Sequence, residues 1–196
     1  IRTSLKGVAV HINAFNFPVW GLLEKLAPSL LAGVPVIAKP ATATAYLAEV
    51  MVRMVIESGI LPPGALQLIV GSTNDLFDHL TGQDVVSFTG SADTGYTLRS
   101  QERLLRRSVR VNVEADSLNS AVLAPDVEPG TETWNLFLRD VVTDMTQKAG
   151  QKCTAIRRIF VPRDRLADVA AELVDRIGAL RVGDPSDEAV QVGPVA

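Results

Sequence analysis

Cysteine is nearly absent: Cys153 is the single thiol in 196 residues, alongside two histidines and an aromatic content of only 5%. One thiol cannot close an internal disulfide, which excludes a disulfide-stapled scaffold and makes a reducing compartment, the cytoplasm, the expected setting. There is no CxxC and no HExxH, so the common zinc patterns have no support and no metal is expected. A G-x-x-x-x-G-K-[ST] loop is missing too, which removes P-loop phosphotransfer. Charge of either sign is not in excess: 19 basic against 22 acidic residues leave −3. That balance gives no footprint for nucleic acid or an anionic membrane surface, so neither is expected as a partner. Lys25, Lys39, Glu49, Arg53 and Glu57 interrupt the most apolar region, short of the roughly 20 residues that span a bilayer. The opening residues do not have the pattern of a signal peptide. With no Met at position 1 and no domain-like end in Val192-Gly-Pro-Val-Ala, a fragment of a longer polypeptide is expected.

What is present is ordinary globular usage, 47% hydrophobic and 21% charged. Short apolar, β-branched runs alternate with longer amphipathic stretches. Gly7–Ile12, Val34–Ala38, Ala65–Val70, Asp84–Phe88 and Val109–Val113 read as strands. Trp20–Leu31, Ala43–Ser58, Asn74–Leu80 and Thr94–Arg103 read as the helices between them. Buried strands joined by helical crossovers imply an α/β fold with a doubly wound, Rossmann-like parallel sheet. After Glu114-Ala-Asp-Ser the texture changes, so a second α/β domain is expected over 117–196 after a first over 1–116. It would contain strands at Ser120–Leu123 and Ile156–Val161 and helices at about Thr133–Ala149 and Arg165–Leu180.

Three features carry candidate chemistry by residue type. Phe88-Thr-Gly90-Ser91-Ala-Asp-Thr-Gly95 is a strand-to-helix turn of small residues, able to offer backbone N–H groups to a pyrophosphate, although an ordinary βα turn fits the same letters. Lys39 ends a strand at the edge where open α/β sheets bind ligands, and a solvated lysine fits equally well. Cys153 falls at a helix-to-loop junction, where either an inert or a reactive thiol is admissible. Neither histidine makes an evident Cys-His pair: His11 lies in an apolar strand and His79 on a polar helix. Arg99, Arg103, Arg106, Arg107 and Arg110 read as a solvated helix face more readily than as a phosphate site.

In combination the motifs are far more specific. Asn13-Ala-Phe-Asn16-Phe-Pro18, Lys39-Pro-Ala, Leu61-Pro-Pro-Gly64, Phe88-Thr-Gly-Ser91 with Gly95, Glu114 after a strand, and Gly150-Gln-Lys-Cys153 follow the order and spacing of the NAD(P)-dependent aldehyde dehydrogenase superfamily, which the chain resembles along almost its whole length. Within it, the chain is similar to the branch acting on coenzyme A-linked semialdehydes in aerobic aromatic degradation: the dehydrogenase half of the bifunctional ring-opening (oxepin-CoA hydrolase) proteins of phenylacetate degradation, with the benzoyl-CoA-pathway enzymes nearly as similar.

The resemblance implies oxidation of an aldehyde to its acid. Cys153 would be the nucleophile, Glu114 the base that activates the hydrolytic water, and Asn16 an oxyanion donor. Lys39, Thr42, Gly90, Ser91 and Gly95 would bind the cofactor. Most NAD-preferring members carry glutamate where this chain has Thr42, so NADP is expected, with NAD admissible. Most members also have Glu-Leu-Gly-Gly where this chain has Glu114-Ala-Asp-Ser, a change in local backbone chemistry. A homo-oligomer is expected, and a fused hydratase domain would lie outside these residues. Two other readings are a CoA-acylating aldehyde dehydrogenase, whose members generally lack the glutamate base, and a nucleotide-binding domain without catalysis.

Overall fold

The computed structural model describes residues 3–196. It divides into two compact units, one ending at Asp116 and the other spanning Ser117–Val195. Among the described residues no helix is long and apolar enough to cross a membrane, and no group of three or more His, Cys, Asp or Glu side chains could hold a metal ion.

The first unit is built on β1 (Ala9–Ile12), β2 (Val36–Lys39), β3 (Leu66–Leu68), β4 (Val85–Gly90) and β5 (Arg110–Ala115). All pairings are parallel and the spatial order is β3-β2-β1-β4-β5. The order reverses between β1 and β4, which makes the sheet doubly wound and puts a crevice at their carboxyl ends. Helices α1 (Trp20–Leu31) and α2 (Ala45–Glu57) cover one face through Leu22, Leu26, Ala48 and Val52 packed on Ala9, Val36, Ala38 and Leu66. Helices α3 (Ala92–Arg99) and α4 (Glu102–Arg106) accompany the opposite face, where Val10, Val86 and Phe88 bury with Leu98 and Leu104.

Several expected elements differ. The helix expected over Asn74–Leu80 is a 3-10 turn at Leu76–Asp78, because Asn74 takes a left-handed φ of 45° that no continuing α-helix can include. His79 therefore caps a short turn and lies on no helix. The helix expected over Thr94–Arg103 is broken into α3 and α4: Gln101 is extended at φ −64°, ψ 116°, and the Ser100 hydroxyl bonds back to the Thr97 carbonyl. Strand β5 runs to Ala115, so Glu114 lies inside the strand, opposite Thr89, where a position beyond the strand end was expected.

The second unit pairs β6 (Ser120–Val122) in parallel with β7 (Arg158–Phe160) and adds α5 (Glu132–Thr146) and α6 (Leu166–Gly178). Its core is Leu123, Trp134, Leu138 and Val169, with the Trp134 indole N–H donating to Glu172 at 2.8 Å. That bond, then Arg176, holds the Glu172 carboxyl below the usual glutamate range. Helix α5 stops at Thr146 and not at Ala149. Lys148 and Ala149 have φ of 52° and 54°, left-handed values that side-chain-bearing residues adopt at a cost of roughly 1–2 kcal/mol each.

Candidate active site

The carboxyl end of the parallel sheet collects most of the residues singled out from sequence. Lys39 is the last residue of β2 and Gly90 the last of β4. Glu114 is next to last in β5, and half-buried Asn16 lies in the bend that follows β1. Ser91 caps α3, its hydroxyl accepting from the Thr94 N–H at 3.3 Å. A Cβ at Gly95 would come within 2.6 Å of Val113 Cγ1, and one at Gly90 within 2.5 Å of Phe88 Cζ. Gly95 thus lets α3 lie against β5 more closely than any side chain allows, and Gly90 leaves room for the Phe88 ring of its own strand.

Beside these residues, at the same end of the sheet, is a cavity of about 300 Å³ lined by Ile12, Lys39, Phe77 and Phe88 and by polar Ser72, Thr73, Thr94, Thr97 and Gln101. The buried Gln101 Oε1 has no hydrogen-bond partner among the described residues. An apolar slot with one ammonium and a ring of hydroxyls matches a phosphorylated nucleotide. Sequence reasoning missed Ser72, Thr73, Thr97 and Gln101, whose positions carry no motif. Thr42 is exposed, opens the 3-10 turn Thr42–Thr44, and is not among the cavity residues.

A polar stripe, equally unexpected, runs across the face that α1 covers. Parallel register sets His11 beside Ser87 and Ser87 beside Asn112. Two residues on, Thr89 pairs with Glu114, and its hydroxyl lies 3.4 Å from Glu114 Oε2. Lys25 on α1 donates to Asn13 Oδ1 at 3.0 Å. Burial pushes the Lys25 ammonium down to about 8, opposed by the negative charges of Glu114 and Glu24. Lys25 reads in sequence as one more cation on a helix, and only the register shows a carboxylate within its field.

Buried His11 belongs to the same stripe. The Ser29 hydroxyl donates its one proton to the Lys25 carbonyl at 2.9 Å, so at 3.1 Å it can only accept from His11 Nε2. Nε2 therefore carries a proton. Burial, reinforced by the Lys25 charge, lowers its pKa from 6.5 to about 4. Between those values the unfolded chain binds a proton that the folded one refuses, so stability falls as pH drops through that window, by up to about 3 kcal/mol. Urea unfolding of full-length protein between pH 7 and pH 4.5 should show this loss, and His11→Phe should remove most of it. Equal losses in both proteins would assign the acid sensitivity to other groups.

Cys153 belongs to the second unit, in the turn that follows the 3-10 segment Gln147–Gly150, and its side chain is exposed. Its carbonyl accepts from Asn119 Nδ2 at 2.6 Å and from the Ser117 hydroxyl. In the first unit Asp116, the last residue before that division, has a φ of 52°. It thus adopts a glycine-like conformation at one of the two Gly positions of the resembled Glu-Leu-Gly-Gly, which aspartate tolerates better than most residues.

Comparison with known proteins agrees with this architecture. The aldehyde dehydrogenase family matches residues 1–196. A 3,4-dehydroadipyl-CoA semialdehyde dehydrogenase from Aromatoleum evansii is 56% identical over 191 residues, 97% of this chain and 37% of that relative. Aldehyde dehydrogenase C of Pseudomonas syringae, solved as a cysteine-to-alanine mutant with NAD+ and octanal, superposes with a TM-score of 0.85 at 28% identity, over 98% of this chain and 39% of its own. An NADP-dependent enzyme from E. coli superposes at 0.83 with 26% identity, over 96% of this chain and 38% of its own. The chain thus spans well under half the length of each of these relatives. With a match along every residue and the same arrangement of strands and helices, it belongs to the aldehyde dehydrogenase family.

Proposed function

We propose that the enzyme to which this chain contributes oxidises a coenzyme A-linked semialdehyde to the carboxylic acid with NADP as preferred acceptor. In this reading the first unit binds the nucleotide and the second supplies the nucleophile. The observation that carries it is the convergence of Asn16, Lys39, Gly90, Ser91 and Glu114 on the carboxyl end of one parallel sheet, beside a cavity suited to a nucleotide. The CoA-linked substrate class is supported by the relative that is 56% identical and acts, by its name, on such a semialdehyde.

The cavity fits the cofactor by chemistry: Lys39 offers a positive charge, Thr94, Thr97, Ser72 and Thr73 offer hydroxyls, and Gln101 holds an unused buried acceptor. Lys39 would hold the adenosine ribose or its 2′-phosphate, and the turn with Gly90, Ser91 and Gly95 the pyrophosphate. When bound, the cofactor supplies an acceptor for the two electrons and hydrogen that leave the substrate carbon. Exposed Cys153, as thiolate, forms a bond to the aldehyde carbon, and the carbonyl oxygen becomes an oxyanion. The Asn16 side-chain amide and the Cys153 N–H stabilise that charge. Oxidation leaves a thioester on Cys153. Glu114 takes a proton from water as the water attacks the thioester carbon, releasing the acid and the thiolate. Presence of this carboxylate favours hydrolysis over resolution by coenzyme A.

Cofactor choice provides a direct test. Thr42 is neutral and small, and Lys39 supplies the nearby charge, so a 2′-phosphate gains charge-assisted contacts without repulsion. In full-length enzyme NADP should exceed NAD in kcat/KM with a CoA-linked semialdehyde, and that substrate should exceed its CoA-free analogue. Thr42→Glu should move the cofactor ratio toward NAD by roughly tenfold to a hundredfold, about 1–3 kcal/mol. Wild-type preference for NAD, or an equal change for both cofactors, would show that position 42 does not read the 2′ group.

A further inference from the structure

We infer that Ser117, Asn119 and Asp144 are positioning residues that lock the backbone on both sides of Cys153 while leaving its thiol free, a role that rests on the reading of Cys153 as the nucleophile. Asn119 Nδ2 lies 2.6 Å from the Cys153 carbonyl and 3.2 Å from that of Ala155. The Ser117 hydroxyl donates to the same Cys153 carbonyl. Asn119 also accepts, through its own carbonyl, the N–H groups of Arg157 at 2.9 Å and Arg158 at 3.1 Å. It therefore grips the segment from both its side chain and its backbone.

Asp144, in the last turn of α5, closes the other side. Its Oδ1 takes the Lys152 ammonium at 2.9 Å and its Oδ2 the Ile156 N–H at 3.1 Å. Lys152 is tied again to Gln147 Oε1 at 2.7 Å, and the Arg157 guanidinium reaches back to the Gly150 carbonyl at 3.0 Å. Lys152, Cys153, Ala155 and Ile156 are thus each fastened, yet the Cys153 side chain takes no part and stays exposed. The core of this unit, Leu123, Trp134, Leu138 and Val169, includes none of the fastening residues.

Holding the carbonyl of Cys153 and the side chain of Lys152 fixes the torsions on either side of the Cys153 Cα. That sets the direction of the Cys153 Cα–Cβ bond, from which Sγ projects, and the direction of the Cys153 N–H, and Sγ and the N–H must meet one carbonyl group together. Ser117 is informative because it replaces a glycine of the resembled Glu-Leu-Gly-Gly and contributes a donor that glycine lacks.

The test uses full-length enzyme and four substitutions. Asn119→Asp keeps the shape but turns the donor into an acceptor facing two carbonyls, Ser117→Ala removes the hydroxyl, Ser117→Thr retains it, and Cys153→Ala removes the thiol. The rate constant of the NADPH burst at saturating aldehyde and cofactor should fall on the order of 10- to 100-fold in Asn119→Asp, and less in Ser117→Ala. Ser117→Thr should be near wild type. Cofactor Kd should stay close to wild type in all of these, and so should the thermal midpoint of Ser117→Ala, Ser117→Thr and Cys153→Ala, while Asn119→Asp lowers it by no more than two lost hydrogen bonds cost. Alkylation of Cys153 by iodoacetamide, which needs only an exposed thiolate, should persist. A burst unchanged in Asn119→Asp, or one that falls only in step with cofactor affinity and thermal midpoint, overturns the positioning role while the nucleophile stands. A burst that survives in Cys153→Ala refutes the nucleophile itself, and the positioning role with it.

Discussion

Cys153→Ala in the full-length enzyme is expected to lose aldehyde oxidation by at least about 10⁴-fold, roughly 5.5 kcal/mol in the barrier, while still binding NADP. No second thiol exists among these residues to substitute for it. The cavity proposed for the cofactor is lined entirely by residues from Ile12 to Gln101, so the deletion of Sγ removes no contact there. An exposed side chain also contributes little to folding, and the thermal midpoint should hardly move, as for surface substitutions in general. A rate assay beside a calorimetric NADP titration decides the matter. Loss of cofactor binding together with activity would make the cysteine a structural residue.

Glu114→Gln should separate the two halves of the reaction. Glutamine keeps the shape and can still accept from the Thr89 hydroxyl, which lies 3.4 Å from Glu114 Oε2. It cannot accept a proton, so only thioester hydrolysis should suffer. Stopped-flow absorbance should record a burst of NADPH of nearly full amplitude followed by a steady state slowed by about 10²–10⁴-fold, the range that general-base catalysis supplies. Substitution also leaves the Lys25 ammonium without the carboxylate charge that opposes its desolvation, so its pKa should fall further below about 8. A burst lost together with turnover would instead make Glu114 the base that activates the Cys153 thiol.

The parallel sheet was legible in advance because its information is local. Apolar β-branched runs such as Ala9–Ile12 and Val36–Lys39, each followed by an amphipathic stretch, admit few arrangements other than strand, crossover and parallel strand. The helix ends were less legible. Nothing in the composition of Thr94–Arg103 signals the extended Gln101 that splits α3 from α4, and nothing in Lys148-Ala149 signals two left-handed residues. Intrinsic propensity does not register single-residue dihedrals of this kind.

From sequence alone came the alternation that makes the sheet and, through the series of motifs in which the chain resembles the aldehyde dehydrogenase family, the family itself and Asn16, Lys39, Glu114 and Cys153 as candidates. Tertiary structure alone decided the order β3-β2-β1-β4-β5, and with it which side chains share a face. Periodicity tells that His11 and Asn13 point the same way, but not that α1 brings Lys25 over them or that Glu114 arrives two strands away on the same face. The same holds for the bonds from Asn119 and Asp144 to the Cys153 segment, which join residues far apart in sequence. Such neighbours are chosen by the burial and hydrogen-bond satisfaction of the whole fold, and no local pattern encodes them.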